Sequence, residues 1–386
     1  MLRVHIVDIL PHDTSPREQE QRMIELERLV TTYGGLVIVK TIQRKDSPAY
    51  RTYIGEGKLD MIVEDMLASQ SDLLIVGNIL KPSQIYQINE KLRKHDLQAW
   101  DKVDLILKIF DKHAESAEAK MQIELAAIKH MGPRIFGMGM EMSRQWWGSS
   151  GGAGAARWLG ETNTERMRRH LKEKVRTIES KLKEYERTRG LQRARRKRIW
   201  LPVCGIVWYT NAGKSSLLRA MCKKDAYVAD KLFATLGTEV GKLYIAPPPL
   251  PLTGVFPDGE GLSSEGRKSG KEVLLIDTIG FIRELPPQLI KAFASTLEDS
   301  IQSDLLLHVV DASDPDYQTK IEVVEDILHR IHADQQVIYV FNKIDQIDSL
   351  HKKMITDAYQ DRPHVFVSAQ TGLGLEELKE MIGERV

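Results

Sequence analysis

Short apolar runs and longer amphipathic stretches alternate along the first hundred residues. Val4-His-Ile-Val7, Gly35-Leu-Val-Ile-Val39 and Leu73-Leu-Ile-Val76 are β-branched runs of the length that suits buried parallel strands. Between them, residues 17–32 carry Met23, Leu26, Leu29 and Val30 at helical spacing, and residues 58–69 repeat the pattern with Leu59, Ile62, Val63, Met66 and Leu67. The alternation predicts an α/β layer domain over residues 1–112. Tyr53-Ile-Gly-Glu-Gly-Lys58 is a Gly-rich turn before the second of these helices. It reads as an ordinary strand–helix connection, with an anion-binding helix start as the sharper alternative.

Two long helical patterns occupy residues 113–198. In the first, Ala114, Ala117, Met121, Leu125 and Ile128 share one face. In the second, Met167, Leu171, Val175, Ile178, Leu182 and Tyr185 advance by alternating steps of three and four, the seam of a coiled-coil-like hairpin. The apolar residues are therefore core. The polar face is less neutral: residues 165–198 hold fifteen Lys/Arg against five Glu, a local balance of +10 within a chain of net charge +1. A solvated helix face usually mixes signs, so a basic stripe of this density suits RNA phosphates. The link between the helices, residues 132–160, contains Gly148-Ser-Ser-Gly-Gly-Ala-Gly154 flanked by Arg144, Trp146, Trp147, Arg157 and Trp158. A floppy linker accounts for the glycines but not for three tryptophans, which suit stacking on exposed bases.

From residue 199 the chain reads as a nucleotide-binding α/β domain ending at residue 386. An apolar strand over 199–207 leads into Trp208-Tyr-Thr-Asn-Ala-Gly-Lys-Ser215, and a helix begins at Ser216. A loop between strand and helix that ends Gly-Lys-Ser cradles phosphates with backbone N–H groups; Lys214 supplies charge for the β/γ-phosphates and the Ser215 hydroxyl a ligand for Mg²⁺. The pattern wants Gly at its first position, where a tight turn passes close to phosphate, and this chain has Trp208. Further strands are expected at 240–245, 273–277, 305–311, 337–342 and 365–367, with a Pro/Gly-rich insertion at 247–270.

The residues at the ends of these strands specify the nucleotide. Asp345 of Asn342-Lys-Ile-Asp345 can accept from both N1–H and the 2-amino group of guanine, and a buried carboxylate left unpaired by adenine is costly. Asn342 can bond the base and the phosphate loop, the Lys343 stem can cover the ring, and Ser368-Ala369 offers a backbone N–H to guanine O6. Thr235 is positioned for Mg²⁺ and the γ-phosphate, Asp277 for a Mg²⁺-bound water, and the Gly280 N–H for the γ-phosphate. The expected site thus comprises Asn211, Ala212, Gly213, Lys214, Ser215, Ser216, Phe233, Thr235, Asp277, Gly280, Asn342, Lys343, Asp345, Ser368 and Ala369 around GTP or GDP. Ser215, Thr235 and, through water, Asp277 serve Mg²⁺; Lys214, Thr235 and Gly280 serve hydrolysis. Gly280 is succeeded by Phe281 where many GTPases place a water-orienting Gln, which predicts slow intrinsic turnover completed by a partner.

The chain resembles the HflX GTPases of the Obg–Era-like branch over nearly its whole length. The match is carried by Tyr209-Thr-Asn-Ala-Gly-Lys-Ser215, Leu232-Phe-Ala-Thr-Leu236, Asp277-Thr-Ile-Gly-Phe-Ile-Arg283 with Leu285-Pro286, and Asn342-Lys-Ile-Asp345. Outside that region Gly55-Glu-Gly-Lys58, Leu80-Lys-Pro-Ser-Gln84 and Gly160-Glu-Thr162 with Glu165 carry it. The resemblance implies a GTPase that binds the large ribosomal subunit and splits or rescues stalled or vacant ribosomes, with the hairpin and its Gly-rich loop entering the peptidyl-transferase region. Trp208, Gly237-Thr238 in place of Asp-Pro, Trp158-Leu159 in place of Gly-Pro, and Asn163-Thr164 in place of Gln-Leu depart from the family pattern. The insertion is long, and the chain ends with the GTPase domain.

No apolar run approaches the ~20 residues that span a bilayer. The first residues look like a strand rather than a targeting peptide, and Cys204 and Cys222 are too few for a disulfide framework or a zinc site. A cytoplasmic monomer is expected. Two rival readings share these features: a degenerate GTPase serving as an RNA- or ribosome-binding module, and a GTPase of tRNA modification or ribosome assembly.

Overall fold

The computed structural model describes residues 2–114, 116–138, 160–198, 201–209, 212–222, 240–246, 270–277 and 302–386. Two compact units divide it, one built on the chain up to Arg187 and the other on the described residues from Thr188 onward.

The first unit opens with β1 (Leu2–Leu10), α1 (Pro16–Tyr33), β2 (Gly35–Arg44), α2 (Glu56–Ser69) and β3 (Leu73–Val76). It continues with α3 (Pro82–Leu92), β4 (Gln98–Asp101) and α4 (Lys102–His113). The four strands form one parallel sheet in the order β2-β1-β3-β4. Parallel neighbours require crossovers, and helices supply each of them. The apolar faces predicted for α1 and α2 are buried at Met23, Leu26, Leu29 and Val30 on the first and at Leu59, Ile62, Val63 and Met66 on the second, whereas Leu67, expected on the same face, is exposed. The second face packs with Val7, Ile9, Leu74, Val76, Ile85 and Ile88. Helix boundaries obey capping chemistry. The Ser15 hydroxyl accepts from the Glu18 N–H, Pro16 opens α1, and Gly34 closes it in the left-handed region at φ 102°. The Gly-rich turn before α2 places Gly55 at the N-cap, its N–H donating to Gln43 Oε1 at 3.1 Å.

A pair of long helices comes next, α5 (Ala117–Met138) and α6 (Gly160–Arg198). Leu125 and Ile128 of α5 are buried against Leu171 and Ile178 of α6, with Met121, Val175 and Leu182 beside them; Ala117 and Tyr185, expected on these faces, are exposed, and the Met167 side chain lies outside the described residues. Ala114 does not join that helical face. It is buried in extended backbone just after α4, because α4 ends at His113 and α5 starts at Ala117.

The second unit contains β5 (Val203–Trp208), α7 (Lys214–Cys222), β6 (Val240–Ile245), β7 (Lys271–Asp277) and β8 (Leu305–Asp311). Then come α8 (Tyr317–Arg330), β9 (Val337–Asn342), α9 (Ser349–Ala358), β10 (His364–Phe366) and α10 (Leu375–Arg385). The sheet order is β10-β9-β8-β5-β7-β6, parallel throughout except for edge strand β6, which runs antiparallel to β7. One face of the sheet is covered by α7 and α10 through Leu217, Leu218, Met221, Leu375, Leu378 and Ile382; on the other, Tyr317, Ile321, Ile355 and Tyr359 gather around Phe341. The first strand starts and ends later than its apolar run predicts. Trp208 belongs to β5, its backbone in register with Val309 of β8, and α7 starts at Lys214 rather than Ser216.

A buried ionic cluster joins α4 to α5. Asp101 caps α4 by accepting from the Asp104 N–H at 2.8 Å, while Asp104 returns an acceptor to the Asp101 N–H. His130 Nε2 of α5 lies 3.4 Å from Asp101 Oδ1 and 3.5 Å from Asp104 Oδ1. Burial opposes charge on His130, but the two carboxylates outweigh it and raise its pKa to about 9. The folded chain therefore holds this proton more tightly than the unfolded one, whose imidazole titrates near 6.5. The resulting stabilisation is complete below pH 6.5 and lost as pH rises through about 9; a gap of this size corresponds to about 3 kcal/mol. Urea unfolding of the first unit at pH 6 and pH 9.5 should show this loss, and His130→Asn should flatten it.

Candidate guanine-nucleotide site

Strand β5 builds the floor of the site by its alternation. Cys204, Ile206 and Trp208 point into the cluster shared with α7, whereas Val203 packs with Leu274 and Ile276. The strand then gives way to Tyr209 and, past residues 210 and 211, to the bend at Ala212-Gly213 from which α7 starts. Gly213 takes φ +84°, and a Cβ there would come within 2.5 Å of Asn342 Nδ2, so glycine is needed for conformation and for space. Lys214 is the first residue of α7 and is buried; its Nζ lies 4.3 Å from the centroid of the Trp208 ring. Ser215 and Ser216 complete the start of the first turn, both partly exposed. Their position at a helix N-terminus favours an anion by its N–H groups and dipole. Asp277 ends β7 directly beside β5, in register with Ile206.

The opposite wall comes from the ends of β8, β9 and β10. Asn342, the last residue of β9, is 2% exposed. Its Nδ2 donates to the Ala212 carbonyl at 3.0 Å and its Oδ1 accepts from the Ala369 N–H at 3.0 Å. One side chain thus ties the phosphate-type loop to the loop after β10. Lys343 then turns the chain by adopting φ 64° and sends its Nζ to Asp311 Oδ2 at 2.6 Å. Asp345 Oδ1 accepts from the buried Ser368 hydroxyl at 2.5 Å, and Ser368 Oγ in turn accepts from the Thr371 N–H at 3.1 Å. Gly374 at φ +74° allows the chain to pass the Phe366 carbonyl on its way into α10.

The structure brings Ala212, Gly213, Lys214, Asn342, Lys343, Asp345, Ser368 and Ala369 to the ends of adjacent strands, with Ser215 and Ser216 in the first turn of α7. Asn211, Phe233, Thr235 and Gly280 lie outside the described residues, as do Phe281 and the insertion at 247–269; the backbone of Asp277 is described but its side chain is not. Three expectations change. Asp345, expected as a buried carboxylate, is exposed. The Ala369 N–H, expected to meet a base oxygen, already donates to Asn342, and the Ser368 N–H donates to the Leu373 carbonyl. Ser368 bears on the site through its hydroxyl as well as its backbone. One residue escapes the motif reading altogether: Asp311, whose Oδ2 takes Lys343 while Oδ1 accepts from the Ser313 N–H and hydroxyl. Its only sequence signal is that β8, like β7, ends in Asp.

A mostly parallel sheet with a glycine-lysine loop at a helix start and an Asn-Lys-Ile-Asp turn two strands away defines a P-loop GTPase domain. Three family models match the chain: one described as "GTP-binding GTPase N-terminal" over residues 20–111, one as "GTP-binding GTPase Middle Region" over 113–196, and one as "50S ribosome-binding GTPase" over 203–343. GTPase HflX of Caldanaerobacter subterraneus subsp. tengcongensis is 41% identical over 369 residues, covering 95% of this chain and 78% of that protein. GTPase HflX of Escherichia coli is 32% identical over 363 residues, covering 94% and 78%, and that of Methanocaldococcus jannaschii 35% over 355 residues, covering 90% and 79%. The crystal structure of SsGBP in complex with GDP superposes with a TM-score of 0.51 at 24% identity, covering 100% of this chain and 98% of that one, and shares the fold. The chain belongs to the HflX GTPase family, and binds and hydrolyses GTP as a member of it.

Removing the Asn342 side chain leaves the Ala212 carbonyl and the Ala369 N–H without the partner that joins them. Asn342→Ala should therefore destabilise the second unit by roughly 2–3 kcal/mol, read as a lower urea midpoint for that transition.

Proposed function

We propose that this chain is a GTP-driven switch acting on the large ribosomal subunit, where it splits or rescues stalled or vacant ribosomes. The observation that carries the proposal is the exposed basic face of α6: Arg166, Arg169, Lys172, Arg176, Lys181 and Lys183 all face solvent along a helix whose Leu171, Val175, Ile178 and Leu182 pack against α5. An array of cations at this density matches the spacing of nucleic-acid phosphates better than that of a protein surface. The name "50S ribosome-binding GTPase" carried by the family model over 203–343, and the HflX GTPases matched along the whole chain, support a ribosomal RNA as the polyanion. The division into an α/β domain over 1–112, a basic hairpin over 113–198 with its loop at 132–160, and a GTPase domain over 199–386 belongs to the same proposal, supported by where the three family models begin and end. So do a monomeric state and a cytoplasmic location; among the described residues no helix is long and apolar enough to cross a membrane.

In this reading Gly213 and the first turn of α7 receive the phosphates through backbone N–H groups, and the Lys214 ammonium neutralises charge on the β- and γ-phosphates. Asp345 reads the guanine N1–H and amino group, and Asn342 and Lys343 hold the walls around the base. The Ser215 hydroxyl, the Asp277 carboxylate and Thr235 are hard oxygen donors suited to Mg²⁺; Asp277 ends β7, the neighbour of β5, and Ser215 lies in the first turn of α7. Bound Mg²⁺ would neutralise phosphate charge. Lys214, Thr235 and Gly280 stabilise the transferring phosphoryl group, and Phe281 leaves the attacking water without a side-chain acceptor.

GTP turnover by the purified chain should be slow alone and rise at least ~10-fold with large ribosomal subunits, because productive switch geometry then comes from the partner. Rapid turnover by the free chain, or no response to the subunit, would count against the reading. Asp345→Asn should weaken GTP and gain xanthosine triphosphate, since the amide offers a donor where guanine presents one too. Unchanged GTP affinity in that variant would remove Asp345 from the base site.

A further inference from the structure

The tryptophan at the head of the phosphate loop, where the pattern has glycine, has a direct structural counterpart. Trp208 is 6% exposed and its indole sits in the apolar cluster with Ala212, Leu217 and Leu218, so the ring lies under the loop rather than across its mouth. Lys214 is 5% exposed, and its ammonium lies over that ring at 4.3 Å. The indole face, the most favourable aromatic one for a cation, is one of the contacts that this buried ammonium makes. The neighbouring position repeats the device: Lys320 lies 5.3 Å from the centroid of the Tyr209 ring and also pairs with Asp314. Lys214 is also the side chain that the proposed reaction needs at the β-phosphate.

We infer that Trp208 is an affinity-setting residue of the GTPase site: its indole competes with the β-phosphate of a guanine nucleotide for the Lys214 ammonium. The inference rests on the guanine-nucleotide reading above and deepens it. A nucleotide must draw the ammonium off a desolvated ring before it gains the full charge contact. The competition lowers affinity and speeds release, and it spares any ligand that lacks a β-phosphate. A glycine at this position, as the loop pattern prescribes, offers the lysine no such alternative. The indole also becomes an internal reporter, because departure of a cation from its face alters its emission.

The test uses the full chain with Trp208→Leu, which fills the core without a π face, and Trp208→Phe, which keeps a weaker one. Binding of N-methylanthraniloyl-GDP, excited directly rather than through tryptophan, should tighten roughly 10- to 30-fold in Trp208→Leu, with Trp208→Phe between it and the parent. Dissociation should slow correspondingly. GMP, measured by competition, should show no gain in either variant. GDP should change the tryptophan emission of the parent, and Trp208→Phe should lose that change while still binding. Equal or weaker GDP binding by both variants overturns the inference, as does an equal gain for GMP. Asp345→Asn in each background separates this failure from failure of the reading beneath it. If that substitution leaves nucleotide binding unaltered in the parent, the guanine site itself is misassigned. If Trp208→Leu does not fold, the Trp208→Phe comparison decides alone.

Discussion

The second unit depends on a primary amide that is satisfied from two sides. Asn342 gives its Nδ2 proton to the Ala212 carbonyl and takes the Ala369 N–H on Oδ1. These are two loops 157 residues apart in sequence between Ala212 and Ala369, brought to one point by the parallel order of β5, β8 and β9. A carboxylate could not donate to Ala212 and an amine could not accept from Ala369, so the position admits an amide and little else. The constraint spreads outward. Gly213 must lack a Cβ because the amide nitrogen stands where that atom would be. Lys343 must take a left-handed backbone so that the chain leaves the amide toward Asp345, and the ion pair with Asp311 offsets the cost of that conformation for a long side chain. Ser368, fixed by its own backbone bond to Leu373, then sets one oxygen of Asp345. Carboxyl ends of parallel strands are where open α/β sheets place ligands, and here every polar group of the wall is oriented by a bond made within the protein.

The same strand that supplies the loop also supplies the core beneath it. Along β5 the residues Cys204, Ile206 and Trp208 alternate into one apolar cluster, so the position that loop geometry reserves for glycine coincides with a position that the sheet's pleat directs inward. A large side chain is admissible there because it continues a buried row. Counted as the first loop residue, Trp208 looks like an obstruction; counted as the last strand residue, it extends the period-2 alternation by one more inward position. Pairing with Val309 makes it the last residue of the strand, and the indole faces the sheet's interior.

Much of the architecture is legible in the sequence because its signals are periodic. The helices of the first unit, the strand runs of the second and the α5–α6 seam bury most of the positions that spacing alone assigns to them, with Leu67, Ala117 and Tyr185 left at the surface. Helix α3 and strand β4 are not evident from spacing, and the reason is local. Gln98-Ala-Trp-Asp101 is too short and too polar at its ends to show alternation, and it is held by Asn89, whose amide both donates to and accepts from Ala99 across ten residues. Helix α3 buries Gln84 together with Ile85, Ile88 and Leu92, and the buried polar residue interrupts its stripe; that glutamine reaches back to the Tyr50 carbonyl, a tertiary contact invisible to spacing. The motif residues that come together at the strand ends, Ala212, Gly213, Lys214, Asn342, Lys343, Asp345, Ser368 and Ala369, are legible because their residue types recur in a fixed order after successive strands. Asp311 is not, because its role is to receive Lys343, and which acid does so depends on which strands lie side by side.

The charge on α6 poses a different kind of question, since folding does not require it. The seam with α5 is made by Leu125, Ile128, Leu171 and Ile178, and ion pairs such as Lys174 with Glu124 and Lys129 with Glu179 join the two helices with one cation from each. Residues such as Lys172 and Arg176 stand one turn apart and both face solvent, an arrangement that destabilises an isolated helix where a Glu in either position would favour it. A helix under selection for stability alone would mix signs on that face. The excess cations are therefore not explained by packing; under the proposed ribosomal reading they are stability given up for an external polyanion, and that reading requires a salt-dependent capture.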